Sequence, residues 1–182
     1  MKLLAFVIVA AAVAVPSQES NPGVTTVASV DLDRYIGRWY EVARFPNRFQ
    51  DDCLGDVRAT YTKRPDGRID VVNECREADG TNVARGVARV EDERTRARLK
   101  VRFAPAFLSF LPMVWGDYWI IGLADDYSWA TVGSPDRKYL WILSRSPQLN
   151  DAAYAEAVAR ATANGFDTSR LVRTPQALSP TP

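Results

Sequence analysis

An all-β fold, an eight-stranded antiparallel up-and-down barrel with one C-terminal α-helix packed outside it, is what this 182-residue sequence predicts. Three observations predict it. Between Arg34 and Arg145 the chain is a succession of short runs in which apolar and polar residues alternate with period two, the mark of a strand with one buried face. Turn-forming residues separate the runs at short intervals, so consecutive runs pair as antiparallel neighbours. A single stretch of helical periodicity follows the last run.

The runs fall at 37–45, 56–64, 68–76, 83–90, 97–103, 117–123, 129–133 and 138–144. The clearest turns between them are Pro65-Asp66-Gly67, Ala78-Asp79-Gly80, the charged Glu91-Asp92-Glu93 and Ser134-Pro135-Asp136. Eight such strands close into a barrel whose interior takes side chains or one small ligand, and closure removes the edges an open meander would expose. In the helix, Asn150 or Asp151 serves as cap, Tyr154, Val158 and Ala161 recur on one face, and Gly165 is the stop, with Phe166 placed to pack back on the last turn. The narrow, alanine-rich face suits close packing against the barrel wall. Barrel and helix span 31–173, and the proline-bearing tail 174–182 is expected to be disordered.

The first residues read as an export signal over 1–14: Lys2 supplies positive charge, Leu3 to Val13 is an apolar run, and Ala12-Val13-Ala14 offers small residues for cleavage. That run is shorter than the ~20 residues a membrane-spanning helix needs. Lys and Arg number 23 against 22 Asp and Glu, so the basic excess of a nucleic-acid binder is missing. Arg94, Arg96, Arg98, Lys100 and Arg102 alternate with other residues and fall on one strand face, a solvated outer face that could also meet anionic headgroups. The chain has no histidine, which removes the commonest general base and the commonest zinc, copper and haem ligand. Asp51-Asp52 and Asp125-Asp126 read as turn residues. No catalytic residue, no metal site and no cofactor are expected.

Three clusters stand out along this pattern. Gly37-Arg38-Trp39-Tyr40-Glu41-Val42 opens the first strand, Asp125-Asp126-Tyr127 follows the sixth, and Trp141-Ile142-Leu143-Ser144-Arg145 ends the eighth. The set resembles the lipocalin family, and within it the bacterial outer-membrane lipocalins and the apolipoprotein D group. The resemblance runs from about Asp31 to Arg173. It implies that Gly37, Trp39, Asp126, Tyr127 and Arg145 are a structural signature at the closed barrel end, without a ligand role. Trp39 is large enough to plug that end, and the Arg145 guanidinium can lie on its indole. Many bacterial members carry an acylated cysteine at the start of the mature chain. Here no cysteine precedes Cys53, so the expectation is an exported protein, periplasmic or secreted, soluble and without a lipid anchor.

The two cysteines lie outside that signature. If the Pro65-Asp66-Gly67 turn pairs Arg64 with Arg68, Cys75 lies opposite Val57 with Cys53 just before that strand, and a Cys53–Cys75 disulfide is predicted over two free thiols. Alternation also assigns inward faces: Val57, Ala59 and Tyr61; Gly86, Ala88 and Val90; Leu99, Val101 and Phe103; and, by parity with Arg145, Tyr139, Trp141 and Leu143. Trp39 parity puts Glu41 and Ala43 inside, and the hairpin register places Asn73 beside Ala59. The sixth strand, Tyr118-Trp119-Ile120-Ile121, is apolar on both faces and stays unassigned.

Small residues at Ala43, Ala59, Gly86 and Ala88 point to an open cavity, or else to tight packing. The predicted ligand wall is Glu41, Ala43, Ala59, Tyr61, Asn73, Ala88, Val101, Phe103, Tyr139 and Trp141. Glu41 and Asn73 either orient a polar headgroup or are satisfied by backbone and water. The resemblance implies reversible binding of a small hydrophobic ligand, a fatty acid, lysophospholipid or similar lipid. A barrel enzyme acting on an apolar substrate is the rival, and a scaffold binding a protein through its loops is a third reading. The apolar segment Phe107 to Trp115 joins the fifth and sixth strands at the expected open rim, where it either touches a membrane or partner or folds inward as a lid.

Overall fold

The computed structural model describes residues 23–177; the export signal expected at 1–14 and the last residues of the tail lie outside them. The elements in order are α1 (Leu32–Tyr35), β1 (Gly37–Arg44), β2 (Gly55–Lys63), β3 (Ile69–Glu77), β4 (Gly80–Val90), β5 (Arg98–Arg102), β6 (Gly116–Leu123), β7 (Trp129–Gly133), β8 (Leu140–Ser144), α2 (Asp151–Ala163) and β9 (Val172–Arg173). Each strand from β2 to β7 pairs antiparallel with the next, and β1 closes the ring by pairing with β8 on one side and β2 on the other. The closed barrel with an external helix is the fold that the alternation and turns predict.

Local chemistry fixes the elements. Arg64 N–H donates to Arg68 O at 2.8 Å across the Pro65-Asp66-Gly67 turn, and Gly67 takes φ +81°, as a tight hairpin requires. The Asn150 side chain caps α2 by accepting from Ala153 N–H at 2.9 Å, and Gly165, at φ +76°, ends it. Ala157 and Ala161 face the barrel, where the Thr131 hydroxyl donates to Ala157 O at 3.0 Å.

One irregularity reorganises β1. The β1–β8 register runs Tyr40 to Ser144 and Glu41 to Leu143, then skips to Ala43 with Ile142 and Arg44 with Trp141. Val42 is the extra residue of this bulge, so the facing of the strand changes phase beyond it. Ala43, predicted inside by Trp39 parity, therefore packs outward with Val42, Trp129, Ile142 and Ala157 beneath α2. Arg44 takes the inward position instead.

A second departure is the tail. Thr174 to Ala177, expected to be disordered, line the seam between β1 and β2. Those two strands pair only from Gly37 with Tyr61 to Tyr40 with Arg58, which leaves backbone groups beyond Tyr40 to be satisfied. The tail satisfies them: Thr174 N–H donates to Val42 O at 3.0 Å, Asp56 N–H to Pro175 O at 2.8 Å, and the Gln176 amide to Glu41 O and Val57 O at 2.8 Å each.

Candidate functional site

The barrel interior is best built from its closed end. Gly37 enters β1 at φ +97°, which spares a side chain that would meet Arg145 Nη1 at 3.3 Å. Trp39 is fully buried, and its indole N–H donates to Tyr35 O at 2.8 Å. The Arg145 guanidinium lies 3.9 Å from the Trp39 ring centroid and donates to Arg38 O, Arg34 O and Tyr35 O, at 2.8, 2.6 and 3.0 Å. Burial pulls the Arg145 pKa below its usual value. The Tyr127 hydroxyl accepts from Asp31 N–H at 2.8 Å, Arg34 stacks on the Tyr127 ring at 4.0 Å, and Asp126 accepts from Ser128 N–H at 2.9 Å. These residues bolt α1 across the barrel end.

Above the plug the interior is filled. Tyr61, Ile69, Val71, Ala88, Leu99, Ile120 and Leu143 are all buried in one cluster with Trp39. The structure settles β6: Tyr118 and Ile120 point inward, while Trp119 and Ile121 pack outward near Phe166. Three phenols form a chain, Tyr118 Oη lying 2.8 Å from Tyr35 Oη and 3.0 Å from Tyr61 Oη. Burial raises the pKa of all three, Tyr61 to about 12, so they stay neutral. Beside them is a void of about 10 Å³, lined in part by Ile69, Ala88, Leu99 and Val101. Ala88 and Tyr61, predicted for the ligand wall, thus belong to the floor.

Other inward side chains open to solvent. Ala59, Asn73, Val101 and Trp141 are half-buried although they face inward, and Phe103 at the lip is 45% exposed. Exposure that rises from the floor to the lip describes a shallow cup. Gly86 is small for a different reason than an open cavity, since the Phe103 ring lies where its side chain would go, 2.8 Å from an added Cβ. Tyr139 stacks on Trp141 with centroids 5.8 Å apart and meets Phe49 at 5.8 Å, making an aromatic ladder from the rim inward.

The polar groups divide. Glu41, 3% exposed, is fully engaged: Arg44 Nη1 donates to it at 2.9 Å, Gln50 Nε2 at 2.6 Å, and the Thr174 hydroxyl also donates to it. Gln50 Oε1 in turn accepts from Trp141 Nε1 at 3.0 Å. Glu41 therefore organises the lip and is not free for a headgroup. Asn73 differs, because its buried Oδ1 has no hydrogen-bond partner among the described residues. Sequence reasoning missed Phe49, Arg44, Gln50, Tyr118 and Thr174; the only trace of the Arg44 position was the consecutive apolar pair Val42-Ala43, which breaks alternation.

The disulfide joins Cys53 to Cys75, with Cα atoms 5.7 Å apart, and ties the β1–β2 loop to β3 at the open end. Opposite it, residues 106–114 form two short 3-10 turns with Phe107, Phe110 and Met113 exposed. Outside the barrel a groove of about 600 Å³ runs between residues 25–29, β6 and α2, lined by polar and apolar residues alike. Among the described residues no helix is long and apolar enough to cross a membrane.

A barrel of eight strands, plugged at one end and open at the other, defines a class of binding proteins for small ligands. The description "Lipocalin-like domain" matches residues 30–176, and the chain belongs to the lipocalin family. It is 44% identical over 156 residues to temperature-induced lipocalin-1 of Arabidopsis thaliana, covering 85% of this chain and 83% of that one. It is 40% identical over 183 residues to the outer membrane lipoprotein Blc of Escherichia coli K12, covering 94% and 96%, and 32% identical over 160 residues to mouse apolipoprotein D, covering 82% and 79%. Among solved structures, insecticyanin from Manduca sexta aligns with a TM-score of 0.68 at 18% identity, covering 87% of each chain, a likeness of fold. Membership implies binding of a small hydrophobic ligand in a family that is generally not enzymatic.

Proposed function

We propose that this chain is a carrier in the cell envelope that reversibly binds one single-chain amphiphile, a fatty acid or lysophospholipid, in the open half of its barrel. The observation that supports this most is the gradient of inward exposure, from the buried Tyr61 and Leu99 to the half-buried Ala59, Val101 and Trp141. A linear acyl chain suits a narrow cup, and Asn73 leaves an acceptor for a ligand hydroxyl. The enzyme reading would generally draw on a free thiol or a histidine, whereas both cysteines are joined to each other and the sequence has no histidine.

Titration calorimetry with saturated fatty acids of increasing length tests the reading. Each buried methylene contributes ~0.8 kcal/mol, so affinity rises roughly fourfold per carbon and then levels off once the cup is full. Ala59→Trp fills the cup, and is expected to abolish binding without lowering the melting temperature. Ala88 is the wrong site for that substitution, since a void of about 10 Å³ cannot take an indole. Affinity independent of chain length would sink the carrier reading.

A further inference from the structure

Residues 103–115 carry no charged side chain, and their tips face solvent: Phe107 is 73% exposed, Phe110 76% and Met113 85%. Such exposure of three large apolar groups on one segment is costly unless something covers them. Their base, by contrast, is anchored. Trp115 lies under the guanidinium groups of Arg89 and Arg102, 4.4 and 5.3 Å from its ring centroid, and its indole N–H donates to Ser109 O at 2.8 Å. Arg102 also donates to Ala104 O. The tips are therefore held outward on a fixed base.

We propose that this segment docks the open end of the barrel on an anionic phospholipid bilayer, with Phe107, Phe110 and Met113 entering the acyl boundary and Arg89 meeting the phosphates. Three features single out a bilayer. The three tips lie on and between two short turns within one segment of thirteen residues, a small apolar area that suits insertion into a fluid layer better than the broad face, roughly 800 Å² per partner, of a stable protein interface. An exposed arginine stands beside them, its guanidinium resting on the Trp115 ring, where it is available to headgroup phosphates. The patch is also continuous with the cup, because Phe103 is at once lip and inner wall. Across the mouth, Phe49 is 65% exposed and carries Arg48 on its ring at 5.1 Å, a second apolar tip backed by a cation. Asp51 and Asp52 follow it in the same loop, so the attraction to anionic lipid comes from the Trp115 side.

The inference extends the carrier reading, but the two fail separately. The test is co-sedimentation of the folded protein with vesicles of phosphatidylethanolamine and phosphatidylglycerol, against vesicles of phosphatidylcholine alone. The protein is expected to sediment with the anionic vesicles. Phe110→Asp is expected to lower partitioning about tenfold, the loss of one inserted side chain, and Arg89→Gln to lower it on anionic vesicles only. Phe110 lies outside the packed clusters, so the variant keeps its fold, checked by an unchanged melting temperature and circular dichroism spectrum. Equal sedimentation of both variants and the parent protein overturns the proposal. So does a parent protein that ignores vesicles but forms a dimer that Phe110→Asp dissolves, for then a second copy covers the tips. If the parent protein binds no fatty acid yet sediments as expected, the carrier reading fails and the docking surface stands.

Discussion

At the scale of single residues, the barrel floor concentrates its unusual chemistry in three phenols. Tyr118 bonds both Tyr35 and Tyr61, so Tyr118→Phe leaves two buried hydroxyls without those partners and is expected to cost about 1–3 kcal/mol in urea unfolding. The raised pKa values set a direction with pH. Below the usual phenol value of 10.0 both folded and unfolded chains hold the protons, and the three tyrosines add no pH dependence. Above it the unfolded chain releases protons that the barrel retains, so stability falls as pH rises from about 10, with the Tyr61 contribution lost through about 12. Absorbance at alkaline pH is expected to show tyrosines that ionise only together with unfolding; smooth ionisation of all seven before any loss of structure would contradict the buried floor. The sequence placed Tyr61 inside by alternation. It was silent on Tyr118, because a strand apolar on both faces carries no phase.

At the scale of elements, strand number, order and most boundaries were legible because turns and alternation are local signals. What was not legible is the phase shift at Val42, since a bulge depends on the partner strand and one residue of β1 has no counterpart in β8. That single event exchanges Ala43 for Arg44 on the inner face. The helix was readable in its cap and stop, and its close seat follows from small residues: Ala157 and Ala161 are fully buried, and Arg160 lies where a side chain on Gly122 would be. Ala157→Leu is expected to wedge α2 from the wall and to cost about 1–3 kcal/mol, read as a lower urea midpoint, with fatty-acid affinity unchanged because the helix takes no part in the cup. Loss of binding at full stability would place α2 in the site.

At the scale of the whole molecule, the closed end and the disulfide were foreseen, whereas the depth of the cup and the docking of the tail were not. Tail and floor are set by contacts between residues far apart in the chain, such as Gln176 with Val57 and Tyr35 with Tyr118, which composition does not encode. The distribution of the five tryptophans has a consequence of its own. Trp39 is sealed in the plug, Trp115 and Trp119 lie outside under arginines, and Trp129 packs beneath α2. Trp141 alone faces inward with partial exposure, its indole N–H held by Gln50. Under the carrier reading, intrinsic fluorescence is expected to serve as an optical gauge of cup occupancy read through one indole: an acyl chain in the cup is expected to shift emission, and Trp141→Phe to silence that shift while calorimetry still records the heat of binding.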